Sequence, residues 1–183
     1  NTSEPKAFIM TVNAGAVPSK HWTQDLSVGG GRIIGECCHF IDLLRFLAGS
    51  PIDSVETTVL GGPSDAKALK DSLSISLVFK NGSIGTIHYL ANGHRSLGKE
   101  RLEVFCEGRV LQLDNFRKLK GFGWDHFTQM RSWKQDKGNS ACVEAFLNAI
   151  PKGGETPIKF EELFEVTRAC FDASEKARGD HRF

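Results

Sequence analysis

The 183 residues suit one domain with a real core, and 23 Lys and Arg against 22 Asp and Glu leave a net charge of +1. That balance, with no basic run interleaved with aromatics, argues against a nucleic-acid surface. No apolar run is long enough to span a bilayer and no signal peptide opens the chain, so a cytoplasmic protein is expected. The five cysteines are odd in number and lack CxxC spacing, which fits a reducing compartment better than a disulfide framework. The chain opens at Asn1 and enters a strand pattern within a few residues, so it is expected to be part of a longer polypeptide.

Residues 7–12 read as a first strand, ending at Asn13-Ala14-Gly15. A polar loop over 17–25 carries His21 and the large aromatic Trp22. From the glycine run Gly29-Gly30-Gly31 to Gly49 the chain reads as one capped helix, with Gly49 as its left-handed stop. It is apolar nearly all round, which predicts burial. Its polar residues Glu36, His39, Asp42 and Arg45 recur every third position, so they are expected to adjoin and pair with one another. A second strand runs from Pro51 to Leu60 and breaks at Gly61-Gly62-Pro63.

Residues 73–79 alternate strictly, with Leu73, Ile75, Leu77 and Phe79 on one face. Asn81-Gly82 signals a hairpin, and 84–91 is the returning strand. Residues 102–106, 110–114 and 117–119 continue the meander, turning at Glu107-Gly108 and Asp114-Asn115. The second face of these strands is weakly charged, consistent either with a second subunit or with modest exposure. Residues 121–138 read as irregular, 140–150 as an apolar helix stopped by Pro151. Residues 161–177 read as an amphipathic helix with Leu163, Phe164, Thr167, Cys170, Phe171 and Ser174 at helical spacing. The expected fold class is α+β: one sheet of about six or seven strands with helices on one side.

The glycine run fails two nucleotide signatures. A dinucleotide fingerprint starting at Gly29 needs glycine where Ile34 stands, and a P-loop starting at Gly30 needs lysine where Glu36 stands. A metal site at Glu36-Cys37-Cys38-His39 is disfavoured, because adjacent helical residues diverge by about 100° and only Glu36 and His39 share a face. No metal is expected, and Cys37 and Cys38 read as small buried hydrophobes. His39 beside the carboxylates Glu36 and Asp42 fits proton transfer with a substrate hydroxyl, or a buried histidine satisfied by its neighbours. Asn13, His21 and Trp22 combine polar groups with an aromatic platform, a combination common in sugar sites. Lys137-Gly138 is a ligand contact or a turn.

At Val12-Asn13-Ala14-Gly15, His21-Trp22, the run 29–49, and Asp136-Lys137-Gly138 leading into Ala145-Phe146-Leu147, the chain resembles the C-terminal domain of the Gfo/Idh/MocA oxidoreductases. It is most similar to the subgroup in which that unit follows an alcohol-dehydrogenase-like segment. The resemblance covers nearly all of 1–183, as a single substrate-binding and oligomerisation domain. It implies an open antiparallel sheet with helices on one face, and a preceding Rossmann domain, absent from these residues, that binds NAD or NADP. It further implies a sugar, cyclitol or nucleotide-sugar substrate and a homo-oligomer formed through the sheet. The family's helix often carries Asp-x-x-x-His, whose histidine assists proton removal from the hydroxyl being oxidised. His39 matches that histidine, whereas the aspartate position falls on Gly35 and Glu36 stands one residue late.

The leading expectation is therefore the substrate half of a nicotinamide-dependent oxidoreductase, inactive without its other domain. Its catalytic candidates are His39 and Glu36, and its substrate-binding candidates are Asn13, His21, Trp22, Asp42 and Lys137. The alternative is a non-catalytic ligand-binding or oligomerisation module of the same fold. A third reading, a metal-assisted hydrolase using Glu36 and His39, requires stoichiometric zinc.

Overall fold

The computed structural model describes residues 4–18, 20–25, 27–61, 71–150 and 156–179. Its strands are β1 (Ala7–Asn13), β2 (Ile52–Val59), β3 (Leu73–Phe79), β4 (Ile84–Leu90), β5 (Glu100–Cys106), β6 (Arg109–Asp114), β7 (Lys118–Phe122) and β8 (Gln129–Arg131). They form one eight-stranded sheet in the order β2-β3-β4-β1-β5-β6-β7-β8. Every pairing is antiparallel except β1 with β4. The helices are α1 (Cys38–Ala48), α2 (Asn139–Ala149) and α3 (Phe160–Arg178). The fold is α+β, as expected. The additional strand is β8, three residues long and exposed throughout, so no apolar alternation marks it. It forms because the edge of β7 supplies a template, with Lys118 opposite Arg131. The expected break at Gly62-Pro63 and the stop at Pro151 lie outside the described residues.

Alternation sets the two sheet faces. Phe8, Met10 and Val12 of β1, Ile75, Leu77 and Phe79 of β3, and Ile87 and Tyr89 of β4 point inward and are buried. Ile41 and Leu44 of α1 and Val166, Ala169, Cys170 and Ala173 of α3 close this core from one side. Phe8 meets Phe79 edge to face at 6.2 Å.

Several expectations about the helices need correction. The segment opening at the glycine run is not one uniform α-helix: Ile33–Cys37 form a π-helical turn before α1 begins. Nor is it buried all round, since His39 is exposed and Phe46 is 73% exposed. Its polar residues do not pair among themselves; Glu36 pairs with Arg32, and Arg45 reaches across to Glu162 and Glu165 of α3 at 3.6 and 3.4 Å. In α3 the buried stripe is Val166, Ala169, Cys170, Ala173 and Ser174, while Leu163, Phe164 and Phe171 lie outside. Small residues face the core there because α3 packs closely on β2 and α1. The apolar α2 has no buried residue at all.

The order of strands explains the site-bearing end. β4 and β5 both flank β1, so the connection 91–99 must cross the C-terminal end of β1. Asn13 is the peg beneath that bridge. Its Nδ2 donates to the His94 and Leu97 carbonyls at 2.8 and 3.1 Å, and its backbone N–H donates to the Lys99 carbonyl at 2.7 Å. The bridge sits so close that a Cβ at Gly93 would lie 1.9 Å from Asn13 Oδ1. Gly93→Ala is therefore expected to destabilise the fold by about 1–3 kcal/mol. Urea unfolding measures this, and an unchanged midpoint would place the bridge elsewhere.

Candidate functional site

Chain leaving β1 turns at Gly15 beneath the guanidinium of Arg32, which is 4% exposed. Nη1 of Arg32 donates to the Gly15 carbonyl at 2.7 Å and Nη2 to the Ala14 carbonyl at 3.4 Å. Nε and Nη2 meet the two oxygens of Glu36 at 2.9 and 3.4 Å, a two-pronged pair at i,i+4 spacing. Asp71 lies 3.9 Å from Nη1, and the Tyr89 ring lies beneath the guanidinium at 5.1 Å. A buried cation requires this much compensation. Lys99 brings a further positive charge to 3.9 Å from Glu36.

Burial pushes the Glu36 carboxyl up, but the hydrogen bonds from Arg32, the neighbouring Tyr89 hydroxyl and the charges of Arg32 and Lys99 outweigh it, so its pKa lies below the ordinary value. The Tyr89 hydroxyl, fully buried, is driven well above the ordinary phenol range by desolvation and by Glu36. Its oxygen has no hydrogen-bond partner among the described residues, so Tyr89 acts on Glu36 as an electrostatic neighbour. Glu36 is therefore an anion held by cations, a poor general base. Because its folded pKa is depressed, its contribution to stability is complete above its ordinary value of 4.5 and is lost as pH falls through the lowered one. Glu36→Gln should flatten the acid limb of a stability-versus-pH curve; parallel curves for both proteins would contradict this.

His39 lies in the first turn of α1 with its side chain exposed, and no hydrogen bond or ion pair to it occurs among the described residues. The acid that senses it is Asp42: burial raises the Asp42 carboxyl, while the His39 charge lowers it. Thus Glu36 is held by Arg32, and Asp42 is an electrostatic neighbour of the histidine without a hydrogen bond to it. Cys37 is buried, with its thiol pushed well up by desolvation, and Cys38 is half-buried. Among the described residues no group of three His, Cys, Asp or Glu side chains could hold a metal.

The other sequence candidates fall into two groups. His21 and Trp22 open a short 3-10 turn, Trp22–Gln24, where His21 Nδ1 lies 2.8 Å from Thr23 Oγ1 and the two rings are 5.9 Å apart. Gln24 donates to Asp71, tying this aromatic loop to the Arg32 cluster. With Lys20 and Val28 these residues line a hollow of about 360 Å³. Lys137, just before α2, donates to Glu100 at 2.6 Å. Asn13 Nδ2 is engaged by the bridge, whereas its Oδ1 is buried without a hydrogen-bond partner among the described residues. The sequence reading missed Arg32 and Glu100. The i,i+4 spacing of Arg32 and Glu36 was the available signal for the first. For the second it was a carboxylate in phase with Leu102 and Val104 on an apolar strand face.

The glycine run does not form a phosphate cradle. A Cβ at Gly29 would come within 2.6 Å of Thr23 Cα and the Trp22 carbonyl, so the run packs against the chain's own backbone. These residues do not fit a dinucleotide.

Together, an open sheet with helices on one face and a charged rim at one end define an α+β domain. The chain belongs to the family described as GFO/IDH/MocA C-terminal domain, whose model matches residues 4–112. No curated protein matches it. Among solved structures, UDP-N-acetylglucosamine 3-dehydrogenase from Acidithiobacillus ferrooxidans is 18% identical with a TM-score of 0.73, covering 96% of this chain and 55% of its own. Levoglucosan dehydrogenase in complex with NADH and levoglucosan is 19% identical with a TM-score of 0.74, covering 97% and 57%. Aldose-aldose oxidoreductase from Caulobacter crescentus, complexed with glycerol, is 15% identical with a TM-score of 0.75, covering 96% and 54%. At these identities the likeness shows the fold, and the chain spans little more than half of those structures.

Proposed function

We propose that this chain is the substrate-binding and oligomerising domain of an NAD(P)-dependent oxidoreductase that acts on a sugar, cyclitol or nucleotide sugar. The observation that carries this reading is an exposed imidazole at His39 with no hydrogen bond among the described residues, one helical turn from Asp42. In this reading a preceding domain holds the nicotinamide, which supplies the hydride chemistry. The residues described here bind the polyol and move its proton. His39 takes the proton of the hydroxyl being oxidised, with Asp42 one helical turn away. Arg32 and Glu36 hold the chain leaving β1 in place, Lys99 and Lys137 donate to substrate oxygens, and Trp22 offers an apolar face to the ring.

Assembly through the outer sheet face fits the same reading. Val78, Ile84, Ala7, Phe105, Val110 and Phe122 are successive cross-strand neighbours on that face, an apolar row crossing six strands. Charge gathers instead toward β5–β8, on Arg101, Glu103, Lys118, Lys120 and Arg131. The cysteines are all free thiols, which suits the cytoplasm. No helix among the described residues is long and apolar enough to cross a membrane.

The test is titration of the full-length polypeptide and of residues 1–183 with NADH and NADPH, followed by nicotinamide fluorescence. Binding by the first alone, with reduction of separately supplied NAD+ or NADP+ on adding a sugar, is the expected result. No binding by either would leave a non-catalytic module.

A further inference from the structure

We infer that Glu100 and Lys137 form a hydroxyl-reading couple that takes a vicinal diol of the substrate, an assignment that rests on the function proposed above. Glu100 opens β5 opposite Val12, so its side chain lies on the helix-side face, and it is only 2% exposed. One carboxylate oxygen, Oε1, accepts from Lys137 Nζ at 2.6 Å. The other, Oε2, is buried without a hydrogen-bond partner among the described residues. A clamp between strand and loop needs only the first oxygen. The second is an anionic acceptor in a place where an unmade hydrogen bond is expensive.

Lys137 completes the arrangement. Its side chain is 39% exposed and its ammonium lies 5.6 Å from the centre of the Phe116 ring. An ammonium has three donors and Glu100 takes one, so two remain for a ligand. Neighbouring hydroxyls of a sugar need an acceptor and a donor side by side, which a carboxylate with one free oxygen and its ammonium partner provide. The couple is continuous with the charged rim, because Lys99 adjoins Glu100 and lies 3.9 Å from Glu36. Phe116 adds an apolar edge beside the ammonium.

Calorimetric titration of the full-length polypeptide with UDP-N-acetylglucosamine and with levoglucosan tests this, using wild type, Glu100→Gln, Lys137→Met and the double variant. The sugar that wild type binds should bind each single variant about 10–100-fold more weakly, because a site built to hydrogen-bond hydroxyls is left unpaired. The double variant should be little worse than either, and a monodeoxy sugar that wild type rejects about tenfold should no longer be rejected by the variants. Thermal midpoints are read alongside. Lys137→Met, whose ammonium is partly at the surface, decides the matter if Glu100→Gln fails to fold. Sugar affinity within twofold of wild type, with a lowered midpoint, would reduce the couple to a loop clamp and overturn the proposal. Failure of wild type to bind either sugar would overturn the functional reading and this assignment together.

Discussion

Arg32→Met is expected to lower unfolding free energy by about 3–5 kcal/mol in urea titration, the range for removing one partner of a buried ion pair. Four groups lose their cation at once: the Glu36 carboxylate, Asp71, and the carbonyls of Gly15 and Ala14. The carbonyls belong to the chain leaving β1, so the loss extends beyond the helix to the loop that carries His21 and Trp22. Methionine fills the volume and keeps the packing over Tyr89, which isolates the charge from the cavity. Arg32→Lys should recover only part of the loss, because a point charge cannot serve Glu36 through two bonds and both carbonyls together. A loss below about 1 kcal/mol would mean that the guanidinium behaves as an exposed pair.

That hub shows where sequence reasoning stopped. Local signals located most of the fold: strict alternation in β3, Asn81-Gly82 before β4, and Gly49 with φ +64 at the end of α1. Glu107 and Asn115, with φ of 50° and 51°, sit in the turns their neighbours announced. What failed was anything decided by tertiary partners. The stripe Glu36, His39, Asp42, Arg45 presumes regular α geometry, and the π-helical turn ends that regularity just before His39. Glu36 instead pairs with Arg32 one turn back and with Lys99, and Arg45 with Glu162 and Glu165 of α3. The apolar pattern of α2 indicates a helix without indicating what it packs on, and within the described residues it packs on nothing that buries it. Asn13 has the residue type of a sugar ligand, yet the strand order makes it the peg of the bridge between β4 and β5. Strand order is a long-range property that no local window contains.

On the function proposed above, His39→Ala is expected to lower kcat of the full-length polypeptide by about 100–10,000-fold, the range for removing a positioned acid–base group. Thermal stability should stay unchanged. The expectation of intact folding follows from the imidazole's exposure and from its lack of any hydrogen bond among the described residues. A histidine that merely satisfied the core would show the opposite pattern, with stability lost and turnover following it. Glu36→Ala supplies the contrast, since its carboxylate is paired with Arg32 and should weaken the fold before it touches the proton. Asp42→Asn separates orientation from chemistry. It removes the neighbouring carboxylate while leaving the imidazole, so it should leave much of the rate. Turnover within threefold of wild type in His39→Ala, on a stably folded protein, would remove the imidazole from the reaction. It would turn attention to Lys99 and Lys137, the cations at the same rim.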